Sequence, residues 1–422
     1  MDFTCVTPRS LLPSWVSMET IQLLGMESQQ GGFWPGLRSL KCNIGWDIVP
    51  FISLLLNPTI TILDLTLPRE INRLLQPTLS LLAHTCRKLQ SLKMNVDTSD
   101  PLSCSGMGRL ISVSQRTLRR VDIGSSTPPD ILPVLFNLPR LQHLILQKPL
   151  LPKQMPPKIL PRLQSVTFIG DHGPNLLRFF GSLCVERLTT VAIVDSRIVQ
   201  LSPLFELLRS ASATMETLWL HSVAAHPGTI LPCPFPNLTS LIIDCACADG
   251  KQSDPCSFQP TDENVPELGK ALPRINSLRL ALGCRAPCRA TFTSLISLSR
   301  SCRSLVSLSI RVDFTSIVRG SDQLNRGNHS LGVSGACPRG TMSRLDTFCV
   351  GNSPLPNVPH CEWVVALALA SIFPSIRSVS THRPQEDKKW KGVQENILIC
   401  QRIHRIAQAP EGEGLSVWCV QC

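Results

Sequence analysis

Cysteine is the residue type whose spacing in this chain comes nearest to chemistry. Among 18 cysteines in 422 residues, Cys245-x-Cys247 and Cys284-x-x-x-Cys288, with Cys256 between them, are separated like thiolate pairs that close on a tetrahedral zinc. A plainer source competes. Cys245 continues a segment containing Ile243, and Cys284 and Cys288 follow one ending at Leu280, where cysteine serves as a small packing residue. The plainer source is the expectation, and Cys419-x-x-Cys422 has no second pair to join. Nine histidines are scattered without ligand spacing, and His84 reads as a core or helix-end residue. No phosphate-cradling Gly-rich loop, His-Glu-x-x-His or Gly-x-Ser-x-Gly occurs. The sequence therefore predicts no catalytic residue, no metal, no cofactor and no enzymatic activity.

What orders the chain is a pattern, L-x-x-L-x-L, that recurs thirteen times. Clear copies are Leu89-x-x-Leu92-x-Met94, Leu141-x-x-Leu144-x-Leu146, Leu163-x-x-Val166-x-Phe168, Leu188-x-x-Val191-x-Ile193, Leu238-x-x-Leu241-x-Ile243, Ile275-x-x-Leu278-x-Leu280 and Leu305-x-x-Leu308-x-Ile310. Looser copies begin at Leu37, Ile60, Leu118, Met215, Leu345 and Ile376. The steps between copies average about 28 residues, the upper range for leucine-rich repeats. The last two anchors of each copy, two residues apart, predict a short strand with alternate side chains inward. Between copies lie apolar stretches at helical spacing: Leu74, Leu75, Leu79 and Leu82; Leu176, Leu177, Phe180 and Leu183; Leu204, Leu207, Leu208 and Ala211; Leu295, Ile296 and Leu298. Parallel strands need such crossovers, and Pro174 and Pro203 suit a first helical turn. The expected fold is an α/β leucine-rich-repeat solenoid, curved, with a parallel sheet on the concave side and helices on the convex side.

The formal net charge is +11. An acidic partner or nucleic acid is one source of such an excess. Another is a basic residue copied at one repeat position, since Lys88, Arg140, Arg162, Arg187, Arg274 and Arg344 all precede a first anchor. With neither aromatic interleaving nor a basic tail, nucleic acid is not the expected partner. The start, Met1-Asp2-Phe3-Thr4, lacks the pattern of a signal peptide, and the longest apolar run, residues 363–373, is too short to span a bilayer. Cytoplasm or nucleus, no membrane association and reduced thiols are expected.

Residues 1–36 are expected to be an N-terminal cap or a remnant of a larger unit, and 37–384 the solenoid of about 13 repeats. Loop insertions fall near 245–260 and 319–340. A capping helix is expected over 385–408, with Trp390, Val393, Ile397, Cys400, Ile403 and Ala407 on one face, and a tail over 409–422. Within each strand, the residue between the inward anchors and the one after them face the concave side. These candidate protein-binding positions are Lys93, Asn95, Asp122, Ile145, Gln147, Thr167, Trp219, His221, Asp244, Arg279, Ser309 and Arg311. Trp219 with His221 is the expected hot spot.

Cys86-x-x-Leu89-x-x-Leu92-x-Met94 and Cys302-x-x-Leu305-x-x-Leu308-x-Ile310 resemble the cysteine-containing repeats of F-box proteins. The Leu-Pro-Arg-Leu-Gln turns at 138–142 and 160–164 are similar to those of fungal F-box/leucine-rich-repeat proteins. So are Val365-Ala366-Leu367-Ala368-Leu369-Ala370-x-Ile372-Phe373-Pro374 and Glu386-Asp387-Lys388-Lys389-Trp390. The resemblance covers roughly residues 33–407. It implies a substrate-recognition subunit of a Skp–cullin–F-box-type ubiquitin ligase, in which an F-box grips a Skp adaptor and the repeats hold the target. Leu12-Pro13 and residues 19–24 echo an F-box opening, but its full pattern does not follow, so the expectation is either a derivative that has lost the F-box or a truncated form. A freestanding scaffold and an RNA-associated repeat protein are the competing readings.

Overall fold

The computed structural model describes residues 2–5, 36–43, 55–66, 72–95, 101–150, 158–170, 173–184, 186–194, 202–221, 235–244, 260–280, 282, 288–315, 317, 343–355, 358–381 and 387–408. The chain forms two compact units, residues 1–225 and 226–422.

In the first unit the strands are β1 (Asp2–Cys5), β2 (Ser39–Asn43), β3 (Ile62–Thr66), β4 (Ser91–Asn95), β5 (Arg120–Ser126), β6 (His143–Gln147), β7 (Lys158–Ile159), β8 (Ser165–Ile169), β9 (Leu183–Cys184), β10 (Thr190–Val194) and β11 (Thr217–His221). β7 and β9 form a small ladder of their own. The others pair in parallel in the order β1-β2-β3-β4-β5-β6-β8-β10-β11. Equivalent residues of successive copies lie side by side: Leu63, Leu92, Val121, Leu144, Val166, Val191 and Leu218 share one rung position. All seven are 0–1% exposed. Each stabilises the fold by roughly 1.5–3 kcal/mol of burial, which is why this rung position carries Leu or Val in each of these strands.

Helices α1 (Asn72–Thr85), α2 (Pro101–Val113), α3 (Ile131–Phe136), α4 (Gly173–Ser182) and α5 (Ser202–Leu208) form the crossovers. Pro174 and Pro203 stand in the first turns of α4 and α5. There a missing N–H costs no helical hydrogen bond. The anchors point toward these helices. Phe168 of β8 meets Phe179 of α4 edge-on at 4.6 Å, and Phe179 in turn meets Phe180 at 5.6 Å.

Within residues 1–36, expected as a cap or remnant, Asp2–Cys5 pairs with β2 in register, Phe3 opposite Leu40 and Cys5 opposite Cys42. It adds a rung beyond the thirteen copies visible in the sequence. By register only Phe3 and Cys5 match anchor positions, so no L-x-x-L-x-L pattern marks it.

The second unit repeats the design with β12 (Ser240–Asp244), β13 (Ser277–Leu280), β14 (Ser307–Ile310), β15 (Thr347–Cys349) and β16 (Ser378–Ser380), parallel and in that order. Its helices are α6 (Asn264–Ala271), α7 (Phe292–Ser301), α8 (Cys361–Ile372) and α9 (Asp387–Gln408). Thr291 caps α7, accepting from the Thr293 N–H. The Thr291 hydroxyl and N–H donate to Asp262 at 2.6 and 2.8 Å, and the Ser294 hydroxyl donates to the same carboxylate. Burial pushes the Asp262 carboxyl up, but these hydrogen bonds outweigh it and hold the carboxyl below its ordinary range.

α9 packs against α8 and along β16. Trp390 is 2% exposed, stacks edge-on with Phe314 and donates its indole N–H to the Ser353 carbonyl at 3.3 Å. Val393, Ile397 and Cys400 are buried with it, whereas Ile403 is 56% exposed. The 22-residue α9 outruns the 12-residue α8, about 33 Å against 18 Å at 1.5 Å per residue, so the helix-face pattern continues past its packing partner. Gln394 and Gln401 turn toward the strand instead. Gln394 accepts from the Val379 N–H and donates to the Arg377 carbonyl at 2.6 Å. Gln401 donates to the Pro374 and Ile376 carbonyls at 3.0 and 2.7 Å. These bonds occupy backbone groups that an edge strand leaves unpaired.

The stretches 245–259, 319–340 and 409–422, read as loop insertions and a tail, lie outside the described residues. So do Cys245, Cys247, Cys256, Cys284, Cys419 and Cys422. Among the described residues no group of side chains could hold a metal ion, and no helix is long and apolar enough to cross a membrane. Burial raises the Cys86 and Cys302 thiols to about 12 and about 11, so both remain protonated and unreactive as core residues.

Candidate functional site

Opposite the helices each unit presents an open sheet face, lined by the residues between and just after the inward anchors. In the first unit the middle positions form one row across the parallel rungs: Lys41, Asp64, Lys93, Asp122, Ile145, Thr167, Ala192 and Trp219. The row divides into a charged half and an apolar half.

In the charged half, signs alternate from strand to strand. The Lys93 ammonium lies 3.7 Å from the Asp64 carboxylate, with half of the lysine side chain in solvent. Asp122 was expected as an accessible contact residue but is only 8% exposed. Burial pushes its carboxyl above the ordinary range, against the opposing pull of Lys93 and Arg120 and with some help from Asp64. Its longer neighbours reach water; the short Asp between them does not. Asn95, at the end of β4, is exposed, and its Cβ would lie 3.1 Å from a Cβ added at Gly124 on the next rung.

In the apolar half, Ile145 and Thr167 are half-buried, Ala192 is buried and Trp219 is 40% exposed. The His221 ring stands edge-on to the indole at 6.4 Å. A second row runs alongside, with Gln147 opposite Ile169 and Ile169 opposite Val194. Ile169, Ala192 and Val194 were not singled out in the sequence. They occupy the same two repeat positions as residues that were, and only the rung order shows that they join Ile145 to Trp219.

In the second unit the equivalent positions carry Asp244, Arg279, Ser309 and Arg311. The Arg279 guanidinium meets the Asp244 carboxylate at 2.7 Å, with Asp244 7% and Arg279 39% exposed on their side chains. Ser309 is half-buried. Arg311, another expected contact residue, is 9% exposed. Its chain lies over Gly351, where an added Cβ would come within 3.0 Å of the Arg311 Cγ, and the glycine's φ of +60° suits a residue without a side chain. Asp244 and Arg311 therefore lie on the expected face without being accessible on it.

Position and exposure thus separate the candidates. Lys93, Asn95 and Trp219 are exposed; Gln147, His221, Arg279, Ile145, Thr167 and Ser309 are half-buried; Asp122, Asp244 and Arg311 are buried.

Neither a family model nor a curated protein matches the sequence. Among solved structures the chain is similar to the internalin InlF of Listeria monocytogenes, with 13% identity over 81% of this chain and 84% of that one and a TM-score of 0.41. It is similar to a chain of the yeast Rad7–Elc1 complex, with 13% identity over 88% of both chains and a TM-score of 0.43. A third likeness is the leucine-rich-repeat protein LegL7 of Legionella pneumophila, with 12% identity over 94% and 98% and a TM-score of 0.34. The leucine-rich-repeat architecture itself rests on the in-register parallel rungs and their buried anchors.

Proposed function

We propose that this is a non-catalytic repeat protein that holds a protein partner on the open sheet face of its first unit, around Trp219. The observation that carries the reading is the indole itself, 40% exposed at the end of a row of small and apolar residues. Folding gains little from a large aromatic left in water, and such residues are enriched at the centres of binding surfaces. His221 supplies a hydrogen-bonding group beside it, and Gln147 another on the same face three strands away. The cysteine-containing repeats at Cys86 and Cys302 support a finer reading, a substrate-recognition subunit of a Skp–cullin–F-box-type ubiquitin ligase or a derivative of one. A freestanding scaffold uses the same face without a Skp adaptor.

Affinity purification of the full chain, with partners identified, tests both levels. The partner recovered with wild-type protein should be lost or weakened by about thirtyfold in Trp219→Ala, the loss of about 2 kcal/mol expected of a hot spot. The melting temperature should be unchanged. Undiminished retention by this variant would rule out the face. A Skp-type adaptor in the purified complex would support the ligase subunit, and its absence from an otherwise intact complex the scaffold.

A further inference from the structure

The turns that lead into the strands of the first unit carry most of the chain's excess charge. The five residues that end at the first strand residue of β4, β5, β6, β8 and β10 contain eight cations and one carboxylate, a net +7 of the chain's +11. Copying of a structural residue does not account for this. Where threonine precedes the first anchor, it has a structural task. The Thr59, Thr117 and Thr214 hydroxyls donate to the Leu37, Leu89 and Leu188 carbonyls of the preceding copy at 2.9, 2.7 and 3.0 Å. The equivalent Lys88, Arg140, Arg162 and Arg187 are exposed and make no side-chain hydrogen bond or ion pair among the described residues. In the second unit Arg274 at this position does have a partner, the Asn237 side chain at 2.7 Å. The cations of the first unit thus replace a residue that ties copies together.

Their backbone is firmly held. The Gln90, Arg119, Gln142 and Gln164 carbonyls each accept two N–H groups from the next turn at 2.7–3.0 Å. Rungs about 4.8 Å apart therefore present at least one cation each, from Lys88 through Arg119, Arg120, Arg140 and Arg162 to Arg187, over about 20 Å. Between Arg162 and Arg187 lies a shallow cleft of about 300 Å³ lined also by Gln142 and Gln164.

We infer that this edge binds an extended acidic polypeptide segment. A peptide of about six residues in extended form spans the row at 3.3 Å per residue. Guanidinium groups pair with carboxylates in bidentate fashion, and the two glutamine amides can serve the peptide backbone. Single-stranded nucleic acid would also meet the charge, but these turns hold no Phe or Trp on which bases could stack. The inference stands apart from the Trp219 site: Arg120 begins β5 on the same side of the sheet as Asp122, but the three arginines replaced below precede their strands, in the turns.

The test uses the full chain and a fluorescein-labelled peptide of about ten alternating Asp and Glu residues, with an oligothymidylate of equal charge in parallel. Wild-type protein should bind the peptide more tightly than the oligonucleotide at matched salt. The triple variant Arg140→Thr, Arg162→Thr, Arg187→Thr should lose at least about tenfold in peptide affinity, with a melting temperature unchanged or raised because threonine restores the bond between copies. Unaltered peptide binding by that variant, tighter binding of the oligonucleotide, or no peptide binding by wild type at low salt would each overturn the inference. Trp219→Ala should leave peptide binding intact, so that failure here and failure of the open face are told apart.

Discussion

The open faces of the two units use the same repeat positions for opposite ends. In the first, Lys93 and Trp219 reach solvent and make at most loose contacts with their neighbours. In the second, Asp244 and Arg279 close on one another at 2.7 Å, and Arg311 lies flat over Gly351. A polar residue on a sheet face is thus available to a partner only where its own neighbours leave it unsatisfied or in water. Chemical type alone does not separate Lys93 from Arg279; their surroundings do.

This contrast can be broken most easily at Arg279. Its removal leaves the Asp244 carboxylate buried without its cation. Arg279→Ala should destabilise the protein by about 2–3 kcal/mol in urea denaturation, somewhat less than the roughly 3–5 kcal/mol cost of splitting a fully buried pair because the arginine is partly exposed. A loss no larger than that of a surface substitution would mean that the two faces do not differ in this way. Asp122 gives a smaller effect of opposite sign. Its carboxyl is raised by burial, so the folded state binds more protons than the unfolded one between the ordinary carboxylate pKa and the raised one. Stability from the neutral form is complete below that window and is lost as pH rises through it. Asp122→Asn should therefore stabilise at pH 7, by up to about 1 kcal/mol, and the gain should vanish below about pH 4. Melting curves across pH measure it, and a destabilised variant at neutral pH would refute the assignment. Smallest of all is Lys93→Ala. Its exposed pair with Asp64 is worth about 0.5 kcal/mol or less, and the loss should disappear in about 1 M salt; a loss comparable to that of Arg279→Ala would erase the distinction.

The architecture was legible because its information is redundant. Most anchor triplets repeat the same demand for three buried apolar side chains, so loose copies such as Met215-x-x-Leu218-x-Leu220 could be recognised from strict ones. β1 escaped because only Phe3 and Cys5 match anchor positions by register. The open face was legible as a set of positions, since strand alternation fixes which side chains share a side. Its accessibility was not. Asp244 and Arg279 are 35 residues apart in sequence, and their contact depends on which rungs adjoin and how far a guanidinium reaches along them. The turn cations were visible as a repeated type but read as copying. Only the hydroxyl-to-carbonyl bonds of Thr59, Thr117 and Thr214 show what that position does when it serves the fold.

The glutamines of α9 bear on how the molecule is kept from growing. A stack of identical parallel strands has no intrinsic stop, and its last member can recruit a strand from a second copy. Head-to-tail addition of that kind does not close on itself and builds filaments. By occupying the Val379 N–H and the Arg377, Pro374 and Ile376 carbonyls, Gln394 and Gln401 leave fewer backbone groups at this edge for a strand of a second copy.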